Sequence, residues 1–221
     1  MLEARELFDV NRVPQELREL VSVGNPWEVL ARLDQFLKGV RDARHGHVHP
    51  TAVIEGGPVY LSEAASVGPH AFIQGPAWIG PNAKVKHGAQ LRGGVVLADE
   101  AEVGHSSEVK HALLLARARA PHFNYVGDAV IGCNVNLGAG VKLANVHTFG
   151  EPIKVGDSES GLRKFSAAIG DDVSIGCNAV LAPGTLVGAR SVIYHGAMVR
   201  GVIPADTVVK FKPQLEQVRR Y

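Results

Sequence analysis

An aliphatic residue at every sixth position limits the possible folds of this chain more than any other feature. The residues with this spacing are Val67, Ile73, Ile79, Val85, Leu91, Leu97, Val103, Val109 and Leu115, then Ile131, Leu137 and Leu143, and finally Ile169, Ile175, Leu181, Val187, Ile193 and Val199. A helix repeats about every 3.6 residues and an ordinary strand about every two, so neither fits. A period of six is typical of a parallel β-helix, in which short strands alternate with corners.

The repeat predicts a triangular prism. Each hexapeptide forms one side and one corner, so residues one full coil apart stack on neighbouring coils. The aliphatic residue points inward, and a glycine often follows it, as at Gly68 and Gly104. We assign this glycine to the corner, because glycine tolerates backbone angles that other residues avoid. Strands of neighbouring coils then pair about 4.8 Å apart.

The rest of the chain divides around this repeat. We expect a helical N-terminal arm at residues 1–45, a β-helix at 46–206 with an excursion loop at 147–167, and a C-terminal tail at 207–221. In the arm, Asn25 suits an N-cap, Pro26 the first helical position and Glu28 the third. An apolar stripe follows these residues, so we expect the arm's helix to pack on the prism.

The amino-acid composition argues against some classes of binding partner. The 221 residues contain 23 Lys and Arg against 22 Asp and Glu, and 6% aromatic residues, which argues against nucleic acid or an acidic membrane as a partner. The two cysteines form neither a disulfide framework nor a zinc cluster. We find no signal peptide and no apolar run of about 18 residues, so we expect a cytoplasmic protein.

The stacking rule indicates an anion site. Arg92 and Lys110 each follow an inward aliphatic residue and lie one coil apart, so they are expected side by side. Two adjacent cations repel each other unless an anion lies between them, and a bidentate Arg with a Lys suits a phosphate. A solvated basic patch is the alternative, and Glu108 is close enough to offset Lys110 instead.

A break in the repeat indicates a second candidate. Leu115 and Ile131 are not a full coil apart, so we expect a deformed coil that contains Arg117, Arg119 and His122. A histidine at such a break, near a phosphate site, is a candidate general base.

The chain resembles a known family over these segments. The matching stretches are LRGG at 91–94, VGHSSEVKHA at 103–112, APHFNYVGDAVIGCNVNLGAG at 120–140 and IGDDVSIGCNAVLAPGTLVG at 169–188. They are similar to the acetyltransferase half of the bacterial bifunctional glucosamine-1-phosphate acetyltransferase/N-acetylglucosamine-1-phosphate uridylyltransferase family. With its PWEVL arm and GLRKF loop, the chain looks like a stand-alone nucleotidylyltransferase-like protein, without a uridylyltransferase domain. The resemblance implies a left-handed β-helix.

The resemblance also implies roles for individual residues. It places His122 as the catalytic base; Arg92, Lys110, Tyr125 and Asn136 at the sugar phosphate; Glu108 near the amino sugar; Lys164 as a basic residue ahead of IGDD; Ala139 and Asn145 at acetyl-CoA; and Cys177 and His195 in the CoA groove. The implied reaction is acyl transfer, with acetyl-CoA as co-substrate and no metal, to an amino-sugar 1-phosphate such as glucosamine 1-phosphate, in UDP-N-acetylglucosamine biosynthesis. Cys177 and His195 replace small residues of the family, and the excursion loop is longer than the family's.

Other functions remain open from the sequence. One is a non-catalytic sugar-phosphate or nucleotide-sugar binding or regulatory module, which the two groove replacements favour. Another is a zinc hydratase of the gamma carbonic anhydrase type, for which His105 and His111 are the candidate ligands, although they lie at different points of the hexapeptide. Prisms of this kind commonly form trimers, so we expect a homotrimer with sites between subunits.

Overall fold

The computed structural model describes residues 2–213 and 216–220. Its helical part contains α1 (Ala4–Leu7), α2 (Arg18–Val21) and α3 (Val29–Lys38), with 3₁₀ turns at Val10–Arg12, Gln15–Leu17 and Pro26–Glu28. Asn25 caps the last of these turns in a capping box with Glu28, as the sequence predicted. The helix then continues as α3 and ends three residues before Arg41, where the apolar pattern placed its end.

Short strands make up the rest of the fold. They are β1 (Ala43–Arg44), β2 (His47–Val48), β3 (Val53–Leu61), β4 (Ser66–Val67), β5 (Phe72–Ile79), β6 (Lys84–Val85), β7 (Gln90–Arg92), β8 (Val95–Leu97), β9 (Glu102–His105), β10 (Glu108–Leu114), β11 (Arg119–His122), β12 (Tyr125–Ile131), β13 (Asn136–Leu137), β14 (Lys142–Leu143), β15 (Lys154–Val155), β16 (Ser158–Glu159), β17 (Ala167–Ile169), β18 (Ser174–Ile175), β19 (Val180–Leu181), β20 (Thr185–Val187), β21 (Val192–Ile193), β22 (Met198–Val199), β23 (Val202–Ile203) and β24 (Val208–Val209). The strand ladder reaches slightly beyond both limits expected for the β-helix.

Parallel pairing builds a prism with three faces, confirming the left-handed β-helix with a helical arm. The inward residues of face 1 are Ile54, Ile73, Leu91, Val109, Val126, Leu143, Leu181 and Val199. Those of face 2 are Leu61, Ile79, Leu97, Leu114, Ile131, Ile169, Val187 and Ile203. Those of face 3 are Val48, Val67, Val85, Val103, Ala120, Leu137, Ile175, Ile193 and Val209. They form one apolar core along the prism.

The inward series contains one misassigned residue. Leu114, not Leu115, pairs with Leu97 and Ile131 and points into the prism. Leu115 is also buried, but it packs in a second apolar cluster outside the prism core. The sequence pattern missed this shift because both neighbours are leucine.

Every change in coil length falls at the edge between faces 1 and 2. From one inward residue to the next, this edge takes five residues at Val109–Leu114 and again at Val126–Ile131, where six are usual. The excursion loop leaves the prism between Leu143 and Ile169, at the same edge. The other two edges keep six residues throughout. The predicted deformed coil therefore shortens at this edge and not around Arg117–His122, which is a regular corner.

The glycines after the inward residues have a different role from the one predicted. Gly104 and Gly176 have ordinary negative φ angles, and the positive φ angles fall two residues later, on Ser106 and Asn178. A Cβ on Gly104 would overlap the carbonyl oxygen of Pro121, on the next coil. Glycine is required here because neighbouring coils approach closely.

The N-terminal arm covers face 2. The outward residues of this face are apolar: Tyr60, Trp78, Val96, Leu113, Val130, Ala168, Leu186 and Val202. They pack with buried arm residues such as Leu17, Leu33 and Leu37. Arg12 pairs with Asp172, and the backbone N–H of Asp9 donates to Asp171. The apolar exterior of face 2 is therefore buried by the arm.

The excursion loop folds back on the prism. Strands β15 and β16 form a small antiparallel pair. Ile153, Val155 and Phe165 are buried in the apolar cluster beneath the arm and loop. The loop thus has a packed base, which fixes the residues that follow Leu143.

Candidate functional site

Face 1 holds the residues of the predicted anion site, and an ion pair joins one of them to Glu108. The register of β7 and β10 aligns Leu91 with Val109, so Arg92 and Lys110 follow at the same level of neighbouring coils, as predicted. Glu108 accepts a hydrogen bond from Arg92 over 2.6 Å. Its charge therefore offsets Arg92 and not Lys110, the partner considered from sequence. A phosphate on this surface would compete with Glu108 for the guanidinium.

Tyr125 and Asn145 lie beside this pair. Tyr125 aligns with Glu108 on the next coil. Gly127 lies beneath the tyrosine ring, since a Cβ there would be 2.7 Å from the Tyr125 hydroxyl and 3.1 Å from Nδ2 of Asn145. Burial raises the pKa of Tyr125, and the charges of Glu108 and Asp128 raise it further. The tyrosine is therefore a neutral hydrogen-bonding group at neutral pH.

A buried polar network supports Asn145 from below. Its Nδ2 donates to Oδ2 of Asp128, whose other oxygen lies 2.8 Å from Nδ1 of His111. Nε2 of His111 lies 3.1 Å from Asp34 on α3. The Asp128 hydrogen bond raises the pKa of His111 most; burial opposes this, and Asp34 adds to it. Burial alone would raise the pKa of Asp128, but bonds from His111 and Asn145 lower it.

His122 lies on the edge between faces 3 and 1. Its backbone pairs with His105 of the preceding coil, and its N–H donates to the side chain of Asn124. The His122 side chain is exposed. It stands three residues before Tyr125, so it borders face 1 opposite Asn145. Its candidacy now depends on this position, because the local irregularity expected from sequence is elsewhere.

The predicted donor residues continue along the same edge. Ala139, Cys177 and His195 each lie two residues after a face 3 inward residue, as His122 does. Backbone hydrogen bonds connect these corners, from Gly140 to His122 and from Asn178 to Ala139. Cys177 is exposed, and the rings of Tyr194 and His195 stack at 6.3 Å. The fold thus aligns these four residues in one row.

Two predicted residues lie outside these groups. Asn136 points outward on face 3, between Arg119 and Ser174, away from the face 1 cluster. Lys164 is exposed in the excursion loop, but the N–H of the next residue, Phe165, donates to the carbonyl of Asn145. Lys164 is therefore close to the face 1 cluster, whereas Asn136 is separated from it by the prism corner.

His105 and His111, the candidate ligands of the zinc alternative, lie at opposite borders of face 1. His105 lies at the edge between faces 3 and 1, stacked on His87 at 4.8 Å. His111 lies at the other border of face 1, between two carboxylates. Among the described residues, no group of three His, Cys, Asp or Glu side chains is arranged to hold a metal ion.

The larger clefts lie elsewhere on the molecule. One of about 480 Å³ separates the arm from the prism near Arg12 and Arg190. Another of about 660 Å³ lies under the excursion loop, beside Lys154 and Arg200. Neither of these clefts is lined by Arg92, Lys110 or His122.

Sequence reasoning missed His111, Asp128 and Asp34 as members of the site. A sequence signal for His111 and Asp128 was present. The inward residues Val109 and Leu114, and likewise Val126 and Ile131, are five residues apart instead of the usual six. His111 and Asp128 occupy these corners with φ angles of 44° and 49°. Asp34 gave no such signal, because a surface aspartate on a helix is ordinary.

Comparison with known families agrees with the repeat. The family model "Bacterial transferase hexapeptide (six repeats)" matches residues 166–201, and "GMPPB C-terminal domain" matches 73–160. The chain is a hexapeptide-repeat β-helix protein. The relatives that match this chain are about twice its length.

Two curated relatives are informative about this hexapeptide-repeat chain. The bifunctional protein GlmU of Methanococcus vannielii is 33% identical over 196 residues, which are 87% of this chain and 47% of GlmU. A bifunctional sugar-1-phosphate nucleotidylyltransferase/acetyltransferase of Sulfurisphaera tokodaii is 39% identical over 92 residues, 40% of this chain and 23% of the relative. The chain thus spans about half the length of the GlmU relatives.

A solved structure shows a weaker likeness. The UDP-N-acetylglucosamine acyltransferase of Francisella novicida is 15% identical, with a TM-score of 0.45, over 73% of this chain and 66% of that chain. This level of likeness has no bearing on substrate. Within the described residues, no helix has the length and apolarity needed to cross a membrane.

Proposed function

We propose that the protein transfers an acyl group, as acetyl, from acyl-CoA to the amino group of an amino-sugar 1-phosphate such as glucosamine 1-phosphate. The observation that carries this proposal is the face 1 cluster, in which Arg92, Lys110 and Tyr125 form one polar surface on the face that His122 borders. The similarity to GlmU proteins over 87% of the chain supports the same reaction class. The reaction belongs to UDP-N-acetylglucosamine biosynthesis in this proposal.

The acceptor binds across face 1. Lys110 and Arg92 contact the phosphate, Tyr125 donates a hydrogen bond to it, and Glu108 and Lys164 contact the sugar. When the phosphate arrives, Arg92 exchanges part of its bond with Glu108, so the carboxylate turns toward the amino sugar. Asn136 lies on the neighbouring face, and its sugar contact requires a ligand that reaches around the corner.

His122 is the general base. It accepts the proton from the sugar amine as the nitrogen attacks the thioester carbonyl, and general-base help of this kind is worth about 10²–10⁴-fold. The donor lies along the row of Ala139, Cys177 and His195, where a backbone N–H near Ala139 stabilises the oxyanion. No residue role here requires a metal.

The two borders of face 1 are far apart in one chain. His122 lies at the corner before β12 and Asn145 at the corner after β14, so the two residues stand at opposite borders of this face. We therefore assign them to donors bound at different edges of the prism. In a homotrimer, Asn145 and the excursion loop of one subunit complete the site of His122 on another.

Acetyl-CoA turnover with glucosamine 1-phosphate tests the proposal. We expect His122→Ala to lower kcat by about 10²–10⁴-fold. His105→Ala is the matched control, because it occupies the same corner one coil earlier, and we expect near-wild-type turnover. Equal losses in both variants, or turnover that is unaffected by His122→Ala, would reject His122 as the base.

A binding or regulatory module without turnover is the second candidate function. It is favoured by Cys177 and His195, which put larger side chains on the donor row than the family has. Tight sugar-phosphate binding that Lys110→Ala weakens, with no transfer from a panel of acyl-CoAs, would establish the module instead.

A further inference from the structure

One chain of hydrogen bonds connects the N-terminal arm to the candidate site. It runs from Asp34 on α3 through His111 and Asp128 to the amide of Asn145. Asp128 and Asn145 are buried, whereas Asp34 is exposed. These hydrogen bonds therefore connect the protein surface to Asn145, a residue that we assign to the binding of the acyl donor.

The shortened corners place these groups in contact. Loss of one residue in each of two successive coils stacks His111 over Asp128, and both adopt positive φ angles. Non-glycine residues seldom adopt such angles, and where they do the surroundings hold them and function is often nearby. Gly94 on the preceding coil leaves room for the ring, since a Cβ there would be 3.1 Å from Cδ2 of His111.

The position of the ring between two carboxylates fixes its charge. A neutral imidazole has one N–H and can donate to either Asp34 or Asp128, but not to both. An imidazolium donates to both. The facing charged groups are Asp34 from α3 and Asp128 from β12, with Lys110 nearby on the same strand as His111. Two anions in contact with the ring, against one neighbouring cation that is not bonded to it, favour the charged ring.

We propose that His111 is a positioning residue that, as an imidazolium between Asp34 and Asp128, couples docking of the N-terminal arm to the orientation of Asn145. Asp128 accepts hydrogen bonds from both His111 and Asn145, so a change at the ring moves the amide. The arm then acts on donor binding without touching either substrate. This inference rests on the proposed function for its catalytic consequence.

A double-mutant cycle tests the coupling. Asp34→Ala removes the surface end, and we expect kcat/KM for acetyl-CoA to fall about 3- to 30-fold with little change in KM for the sugar phosphate. In an Asn145→Ala background the same substitution has no further effect. Gln35→Ala, an exposed neighbour on α3, is the control and leaves kcat/KM unchanged. Additive losses would overturn the coupling, because they would show that Asp34 acts independently of Asn145.

A second measurement tests the inference without an activity assay. In ¹⁵N NMR, we expect His111 to show two protonated ring nitrogens at pH 7 and to lose one at lower pH in Asp34→Ala than in wild type. The Asn145 side-chain amide signal shifts in Asp34→Ala and not in Gln35→Ala. A neutral His111 ring at pH 7 would overturn the inference. So would an Asn145 side-chain amide shift that is the same in Asp34→Ala and in wild type. Absence of acyl transfer in wild type would instead reject the proposed function.

Discussion

At the scale of residues, the same corner position carries different chemistry in successive coils. On the edge between faces 3 and 1, this position holds His105, His122, Ala139, Cys177 and His195 in turn. The β-helix fixes the backbone of each corner, so the side chain alone sets its role. A row of this kind can bind a long, extended ligand such as the pantetheine arm of CoA.

The two cysteines test the donor row. Cys133 is buried and burial raises its pKa to about 12, whereas Cys177 is exposed. We expect iodoacetamide at pH 8 to modify Cys177 first, since the thiolate is the reactive form and Cys133 has little. If the donor occupies the row, saturating acetyl-CoA, which has no free thiol to consume the reagent, slows this reaction.

Mass spectrometry of the two cysteine peptides gives the rates. Cys177→Ala is the control and should remove the fast phase. Protection of Cys177 by glucosamine 1-phosphate but not by acetyl-CoA would contradict its place on the donor row.

At the scale of elements, the corner between faces 1 and 2 absorbs all variation in coil length. Its five-residue forms create the His111–Asp128 contact, and its longest form is the excursion loop. The other edges stay constant because glycines such as Gly104 and Gly176 allow close contact between coils. Variation is thus confined to the border where the candidate site and the arm meet.

The close-packed glycines are expected to be sensitive to added atoms. Gly104→Ala forces a Cβ against Pro121, so we expect a loss of about 1–3 kcal/mol in unfolding free energy. Gly24→Ala is the matched control, because a Cβ there has nothing within 4 Å. Thermal denaturation compares the two variants. Equal melting temperatures would show that the coils separate more easily than this packing implies.

The His111–Asp128 contact gives stability a pH window. His111 has a raised folded pKa, so its contribution is complete below about pH 6.5 and is lost as pH rises through the raised value. Asp128 has a lowered folded pKa, so its contribution is present above about pH 4 and is lost as pH falls through the lowered value. We expect His111→Asn to destabilise the protein more at pH 6 than at pH 9.

Urea denaturation at the two pH values measures this difference. Asn suits the positive φ angle at this position and avoids a separate backbone penalty. His105→Asn is the control on an exposed histidine. A His111→Asn loss that is the same at both pH values would show that the imidazolium does not stabilise the fold.

At the scale of the whole molecule, the arm and the site occupy different faces of one prism. The arm covers face 2, which leaves faces 1 and 3 and the edge between them open. In a closed trimer, two different patches of each chain contact each other, and the open edge between faces 3 and 1 is available as one of these patches. We therefore propose a subunit contact beside His122.

Assembly state is directly measurable. We expect light scattering to give three times the mass of one chain, because the open edge packs against a neighbour. Excess salt should leave this mass unchanged if the contact is apolar and close-packed. A stable monomer at micromolar concentration would contradict the homotrimer.

Mixed assemblies test whether sites are shared. We expect His122→Ala and Asn145→Ala each to lower turnover strongly, though measurably, when expressed alone. Co-expression should restore about a quarter of wild-type activity, since random assembly pairs intact residues in that fraction of interfaces. A mixture of either variant with itself is the control. No recovery would place His122 and Asn145 in the same subunit's site.

Much of the fold was predictable from sequence, and less of the site. The aliphatic period correctly identified the inward residues in its series except Leu115, although it passed over Ala120 and Val126, and it placed Arg92 beside Lys110. The sequence did not show that Glu108 pairs with Arg92, because Lys110 is the nearer cation along the chain and Arg92 approaches Glu108 only through the stacking of coils. The sequence pattern wrongly located the irregular coil near His122. Since Leu114 and Leu115 are adjacent leucines, the pattern could not show which of them points inward.

The sequence by itself determined the prism, since one inward aliphatic residue per side leaves no other way to bury the repeat. It also determined the capped helix of the arm. The tertiary structure alone decided which face the arm covers and which edge absorbs missing residues. It alone brought Asp34 to His111, across a large separation in sequence. These facts depend on contacts between distant segments, and no local pattern encodes them.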